Sequence, residues 1–389
     1  MPPLSASQDI KKPALLSMAI ASGVAVANIY YSQPMLGIIE REFPHSSLIA
    51  LTPTLTQLGY AAGLFFLLPL GDKFDRKRII MYQLLVLCAA LAIAAISPSP
   101  VILLLASFAI GAASTVAQQI VPLAALLSPP HKQGAAIGTV MAGVLSGILL
   151  SRTVAGLVSQ HLGWRPMFWL AIPIILLAGL RMAFVLPARP VSNPASYRSL
   201  IASLLALWQR HPSLRGAAIV QALLFASFST FWTVLAFYLA SPRFGMGADV
   251  AGLFGIVGAV GILAAPLAGR LTDKVGPTRI VTIGGGIALL SWIVLGFWPG
   301  LTGLIVGVIL LDLGVQVSLI ANQHIIYSLD HAAKGRLNAI FMTAMFLGGA
   351  IGSAIAVIEW TLGGWATVSI VGALLPLGAF AAGEMRRRR

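Results

Sequence analysis

The 389 residues are 58% hydrophobic and 9% charged, with a mean hydropathy of +0.92 and a net charge of +14. A soluble domain carries roughly 25% charged residues, and so few cannot cover a water-facing surface, which excludes a soluble globular protein. Inside a bilayer every backbone N–H and C=O must be paired within the chain, leaving helices or a closed barrel. The apolar runs last about twenty residues instead of alternating over about ten, which selects helices.

Lys11 and Lys12 end a short polar start. The apolar run 14–36 is too long for the core of a cleaved signal peptide. It closes on Asn28, Tyr30, Tyr31, Gln33 and Pro34, and is predicted as a first span kinked at Pro34. Further spans are predicted at 48–70, 79–97, 101–126, 134–158, 166–187, 213–240, 248–268, 279–298, 301–326, 335–359 and 363–383. Ser97–Pro100 and Trp298–Gly300 are tight hairpins on one side of the membrane. An even number of spans returns both termini to the same side. With that side cytoplasmic, 21 of the 25 basic residues face inward, among them Lys73, Arg76, Lys77, Arg78, Arg181, Arg189, Arg270, Lys274, Arg279, Lys334, Arg336 and Arg386 to Arg389. Arg41, Arg165 and Arg243 face outward and Arg152 falls within a span. This asymmetry is a positive-inside signal. It accounts for the basicity through anionic lipid, so no nucleic-acid partner is expected.

The longest connection, 188–212, opens on Pro187, Pro190 and Pro194. It continues through Tyr197 to Arg210 with basic ends around an apolar middle, as suits a short helix lying in the cytoplasmic interface. It divides the chain into an N-terminal bundle at 1–187 and a C-terminal bundle at 213–389. The halves repeat one another. The loop from Pro69 to Ile79 matches that from Pro266 to Ile280, and Gly134, Gly147 and Ser151 align with Gly335, Gly348 and Gly352 at one constant offset. Corresponding repeats mark transporters built by duplication.

Gly269, Asp273, Lys274 and Gly276 in the second of these loops are similar to the G-x-x-x-D-[RK]-x-G signature of the major facilitator superfamily. Gly71, Asp75 and Arg76 keep part of it in the first, which is two residues shorter and lacks the second glycine. The resemblance covers essentially the whole chain. It implies an all-α membrane fold of twelve transmembrane helices in two pseudo-symmetric six-helix bundles. It also implies that Gly71, Asp75, Arg76, Gly269, Asp273 and Lys274 act as a cytoplasmic latch for the outward-facing state; the plainer alternative is that the acids only balance basic loops. Gly138, Gly147, Ser151, Arg152, Ala155 and Gly156 fall on the spacing of the family's antiporter signature, with Ser151 and Arg152 where Gly-Pro is expected. The arginine that drug exporters carry in span 4 is replaced by Ser107, and the basic group has moved to Arg152.

Charge inside a bilayer is costly and points to function. Asp312, near the middle of span 10, is expected to load and release a proton during alternating access, or to pair with Arg152. Glu359 is expected at the outer interface. In the family, spans 1, 4, 7 and 10 line the cavity. On them, Asn28, Tyr30, Tyr31, Gln33, Gln118, Gln119, Trp232, Gln316, Asn322 and Gln323 are candidate substrate contacts, or alternatively hydrogen-bond helices together. Cys88 is read as core filler; His131, His324 and His331 show no metal-ligand spacing; no catalytic constellation or nucleotide loop is present, so neither enzyme activity nor a cofactor is expected. The segment from Asn28 to Pro34 is similar to bacterial members near the arabinose-efflux permeases. The resemblance implies proton-coupled efflux (antiport) of a small organic compound by a monomer in the bacterial inner membrane, with both termini cytoplasmic. The alternative is a proton symporter importing a small organic anion, with Arg152 as the anion's partner.

Overall fold

The structure, a computed structural model, describes residues 12–44, 46–187, 196–263, 265–330 and 333–387. Lys11, Arg189, Pro190, Pro194, His331, Arg388 and Arg389 lie outside them. The described chain is helical, with no strand among the described residues.

The first apolar run makes two helices, α1 (Lys12–Ala27) and α2 (Ser32–Glu42). Their break is local chemistry. The Asn28 amide donates back to the carbonyls of Val24 and Ala25 at 2.7 and 3.1 Å, and Pro34 has no N–H to offer Tyr30. The second run contains α3 (Thr52–Ala62), then one π turn over Gly63–Leu67 and a 3-10 turn over Leu68–Asp72, where Pro69 cannot continue the helical ladder. Next come α4 (Arg76–Ile96), α5 (Pro100–Ser114), α6 (Val116–Leu126), α7 (Gln133–Leu162) and α8 (Trp164–Val185). The connecting α9 (Tyr197–Arg210) buries Leu200, Leu204 and Leu207 on one face, and the Ser196 side chain caps its start.

There follow α10 (Pro212–Ala240), α11 (Ala248–Leu263), α12 (Ala265–Val275), α13 (Pro277–Phe297), α14 (Leu301–Tyr327) and α15 (Lys334–Arg387). Gly276, at φ +94°, turns the chain between α12 and α13, a conformation other residues resist, which explains a glycine at the end of the loop signature. Helix α15 is interrupted: Gly363 and Gly364 leave helical geometry, with Gly364 at φ +60°. Ten helical segments among the described residues are long and apolar enough to cross a membrane, and Ala248–Gly258 is a shorter apolar helix. The chain is a multi-pass membrane protein.

The repeat read from the sequence reappears as two similar helix crossings. Gly143 and Gly147 of α7 lie against the backbone of Ala19 and Gly23 on α1; Gly348 and Gly352 of α15 lie against Ala222 and Ala226 on α10. A methyl group at any of these glycines would collide with the facing backbone. One apolar cluster draws only on residues 18–186, and a second draws mainly on residues 220–379. At one end of the helices the earlier and later segments are tied together. Thr153 Oγ1 donates to the Gly252 carbonyl at 3.0 Å, and Thr54 Oγ1 donates to Ser353 Oγ at 2.9 Å. Ser353 Oγ in turn meets Thr233 Oγ1 at 2.9 Å. At the opposite end, where the basic loops gather, a cavity of about 490 Å³ separates them.

Candidate functional site

Arg152 sits about two-thirds of the way along α7 and is 3% exposed. Its Nε donates to Gln33 Oε1 at 2.8 Å, a contact made possible because the break after α1 turns the start of α2 inward. The guanidinium lies over two rings, Trp232 at 4.0 Å and Tyr30 at 4.5 Å from the centroids, with Phe228 at 5.7 Å. Such stacking on desolvated rings is worth about 2 kcal/mol. It replaces part of the hydration that burial removes. The Nη2 nitrogen is buried with no hydrogen-bond partner.

Trp232 connects this cation to Asp312. Its indole face carries Arg152, and its Nε1–H donates to Asp312 Oδ1 at 3.4 Å. Arg152 and Asp312 make no direct salt bridge among the described residues; Trp232 lies between them. The constellation therefore joins α7 to α10 and α14 through one side chain. Gly258 of α11 makes room for it: a methyl group there would strike Asp312 Oδ2 and the Trp232 ring. Asp312 is half-buried, as are Gln316 and Phe228.

The other expected contacts fall into separate groups. Gln118 Nε2 donates to the Tyr60 hydroxyl at 3.3 Å and lines the cavity at the basic end. Gln119 is fully buried and donates to the carbonyls of Leu67 and Leu68 at 2.9 and 3.2 Å, at the distorted end of the second span. Asn322 donates to Gln221 Oε1 at 3.2 Å, a bond between α14 and α10. Asn28 is turned back on α1, and Tyr31 packs in the earlier apolar cluster. Gln323 is half-buried, one residue from Asn322 and eleven from Asp312 along α14.

Sequence reasoning missed an aromatic wall running from Trp232 through Phe228, Phe225 and Phe346 to Tyr60, with successive centroids 6.0, 5.2, 5.1 and 4.3 Å apart. Phe225, Phe228 and Trp232 share a face of α10 at helical spacing, a signal that could have located half of it. Their meeting with Phe346 and Tyr60 is tertiary. Glu359 is 4% exposed, and neither carboxylate oxygen has a hydrogen-bond partner. It lies four residues before the break at Gly363, near the end of its helix and covered by protein.

In the loops, Asp75 accepts from the Lys77 backbone N–H at 3.0 Å and caps α4. Arg76 pairs with Asp72 at 3.0 Å and donates through Nε to the Gly71 carbonyl at 3.1 Å. A methyl on Gly71 would meet Gln119 Oε1. Asp273 lies 3.8 Å from His324 Nδ1, while Gly269 and Lys274 are partly open to solvent. Among the described residues no group of three or more His, Cys, Asp or Glu is arranged to hold a metal ion.

Helices of this length, two corresponding crossings and a buried charged constellation within the apolar spans fit a membrane transport protein. The sequence profile of the Major Facilitator Superfamily matches residues 18–353, and the chain belongs to that family; it is a transporter and not an enzyme. It is similar to the uncharacterized transporter YgaY of Escherichia coli O157:H7, with 43% identity over 375 residues, 95% of this chain and 95% of that one. The multidrug resistance protein MdtG of Salmonella choleraesuis is 28% identical over 203 residues, 50% of this chain and 47% of its own. Among solved structures, the nucleoside transporter NupG superposes with a TM-score of 0.77 at 15% identity, covering 96% of this chain and 99% of that one, a likeness of fold.

Proposed function

We propose that the chain is a proton-coupled secondary transporter exporting a small organic compound by alternating access. In this proposal it has twelve membrane spans. Residues 1–187 and 213–389 form two six-helix bundles, joined by 188–212. It resides in the bacterial inner membrane with both termini cytoplasmic. The observation that carries the proposal is the Arg152–Trp232–Asp312 constellation. It bridges the two bundles just inside the ties at the closed end, so a change of charge at Asp312 alters how one bundle holds the other. The ties of Thr153 to Gly252 and Thr54 to Ser353 then close the outer end, and the cavity of about 490 Å³ opens inward. The latch groups are apart in that state: Asp75 and Arg76 bond within their own loop, and Asp273 lies near His324.

The export direction is supported by the partial likeness to a multidrug resistance protein, whereas Ser151 and Arg152 in place of Gly-Pro in the antiporter spacing of α7 weaken it. The unpartnered Nη2 of Arg152 favours a second arrangement, symport of an organic anion with protons. Everted vesicles loaded with a compound panel separate them. Protons moving opposite to substrate support export, and protons moving with it support symport. Asp312→Asn should uncouple either one; substrate-linked proton movement that persists in this variant would remove Asp312 as the carrier.

A further inference from the structure

We infer that the site accepts a small organic carboxylate with a flat apolar body, the carboxylate held by Arg152. This deepens the transport proposal and rests on it only for the location of the site; it holds for either direction of movement. The Arg152 side chain is 3% exposed and its Nη2 has no partner among the described residues, while Nε is occupied by Gln33. A buried donor left unmade costs about 1–3 kcal/mol, more when charged. That cost is tolerated where a ligand completes the site. Asp312 does not relieve it, because Asp312 takes the Trp232 indole N–H and makes no salt bridge with Arg152. Trp232 and Tyr30 each hold the guanidinium carbon over a ring, and Nη2 is the buried donor left open. A planar fork of donors matches a carboxylate, which accepts two parallel hydrogen bonds.

Two further features fit the rest of such a molecule. Of the aromatic wall that continues from Trp232 through Phe228 to Phe225, Trp232 and Phe225 are 2% and 7% exposed and Phe228 is half-buried, so Phe228 is the ring on which a flat apolar body can stack. The cavity toward the basic loops, about 490 Å³, shares no lining residue with the Arg152 constellation; it is lined largely by apolar residues together with Arg76, Lys334 and Arg336, as suits a route to the site rather than the site itself. Its one acid, Asp72, is already paired with Arg76, whose Nη1 is buried without a partner. This size admits a small molecule. Cations along a low-dielectric wall raise the local concentration of anions. Basic loops are expected at an inner face on topological grounds alone, but a buried unpaired Arg76 nitrogen beside an apolar cavity is not.

The test is equilibrium dialysis of purified full-length protein in lipid nanodiscs, without any gradient, against benzoate, methyl benzoate and benzylamine. Benzoate should bind at least on the order of ten-fold more tightly than its neutral ester and the cation. Arg152→Lys, which keeps the charge and loses the fork, should weaken benzoate on the order of ten-fold. Arg152→Gln should abolish the preference, and Asp312→Asn, which removes the nearby negative charge, should tighten benzoate. Failure of benzoate to bind, or ester or amine binding as tightly, overturns the inference, and that comparison does not depend on any variant folding. Because binding is read without transport, loss of proton coupling in vesicles alongside intact benzoate preference would sink only the transport proposal.

Discussion

The indole of Trp232 carries the Arg152 guanidinium on its face at 4.0 Å and donates from its edge to Asp312 at 3.4 Å, so two substitutions can separate its roles. Trp232→Phe keeps a ring beneath the cation and removes the donor to the carboxylate. A hydrogen bond to a charged group contributes about 1.5–3 kcal/mol. Coupled transport in proteoliposomes should therefore fall on the order of ten-fold, with the protein still folded; full activity would mean that the indole N–H does not position Asp312. Trp232→Leu removes the ring as well and should lower thermal stability too. Glu359 gives a prediction of opposite sign. Both its oxygens are buried and unpartnered, so Glu359→Leu removes an unsatisfied polar group and should stabilise by about 1–3 kcal/mol, read as a higher unfolding midpoint in detergent. A lower midpoint would show that Glu359 has a partner in the membrane.

Breaks in the helices carry much of the site's geometry. The gap between α1 and α2 brings Gln33 to Arg152, and the distorted end of the second span, a π turn at Gly63–Leu67 and a 3-10 turn at Leu68–Asp72, accepts side-chain hydrogen bonds from other segments. Gln119 donates to the carbonyls of Leu67 and Leu68, and the Tyr197 hydroxyl of α9 donates to that of Phe66 at 2.7 Å. The connecting helix is thus bonded to the distorted end of the second span. Tyr197→Phe should cost about 0.5–1.5 kcal/mol and speed amide exchange in α9. Gln119→Leu should cost more, about 1–3 kcal/mol, because it removes two buried hydrogen bonds that tie α6 to the second span. Exchange in α9 that does not change in Tyr197→Phe would place its anchoring in Leu200, Leu204 and Leu207 alone.

Across the whole molecule, one end is bonded shut and the other opens into a cavity, and transport by alternating access requires that the closed end part. Thr54 and Ser353 bring their hydroxyl oxygens to 2.9 Å, close enough for a pair of cysteines to be bridged. In a background with Cys88 replaced by Ser, Thr54→Cys with Ser353→Cys should cross-link on oxidation and abolish transport, and reduction should restore it. Undiminished transport in the cross-linked protein would rule out opening at this end.

The amino-acid sequence by itself determined that the chain is helical and membrane-spanning, because a chain only 9% charged can shelter its backbone no other way. Its repeat was legible too, since glycines that let helices touch must recur wherever the crossing recurs, as at Gly147 and Gly348. Arg152 and Asp312 stood out for a similar reason: charge inside an apolar run is conspicuous in one dimension. Their relation was not legible. A sequence shows which residue types occur and at what spacing, whereas contact between α7, α10 and α14 depends on how the helices pack. Only the tertiary structure put Trp232 between the two charges, left Arg152 Nη2 unpaired and buried Glu359. It likewise assigned Gln119 and Asn322 to bonds between helices, because a polar side chain in an apolar interior takes whichever partner the packing brings within reach.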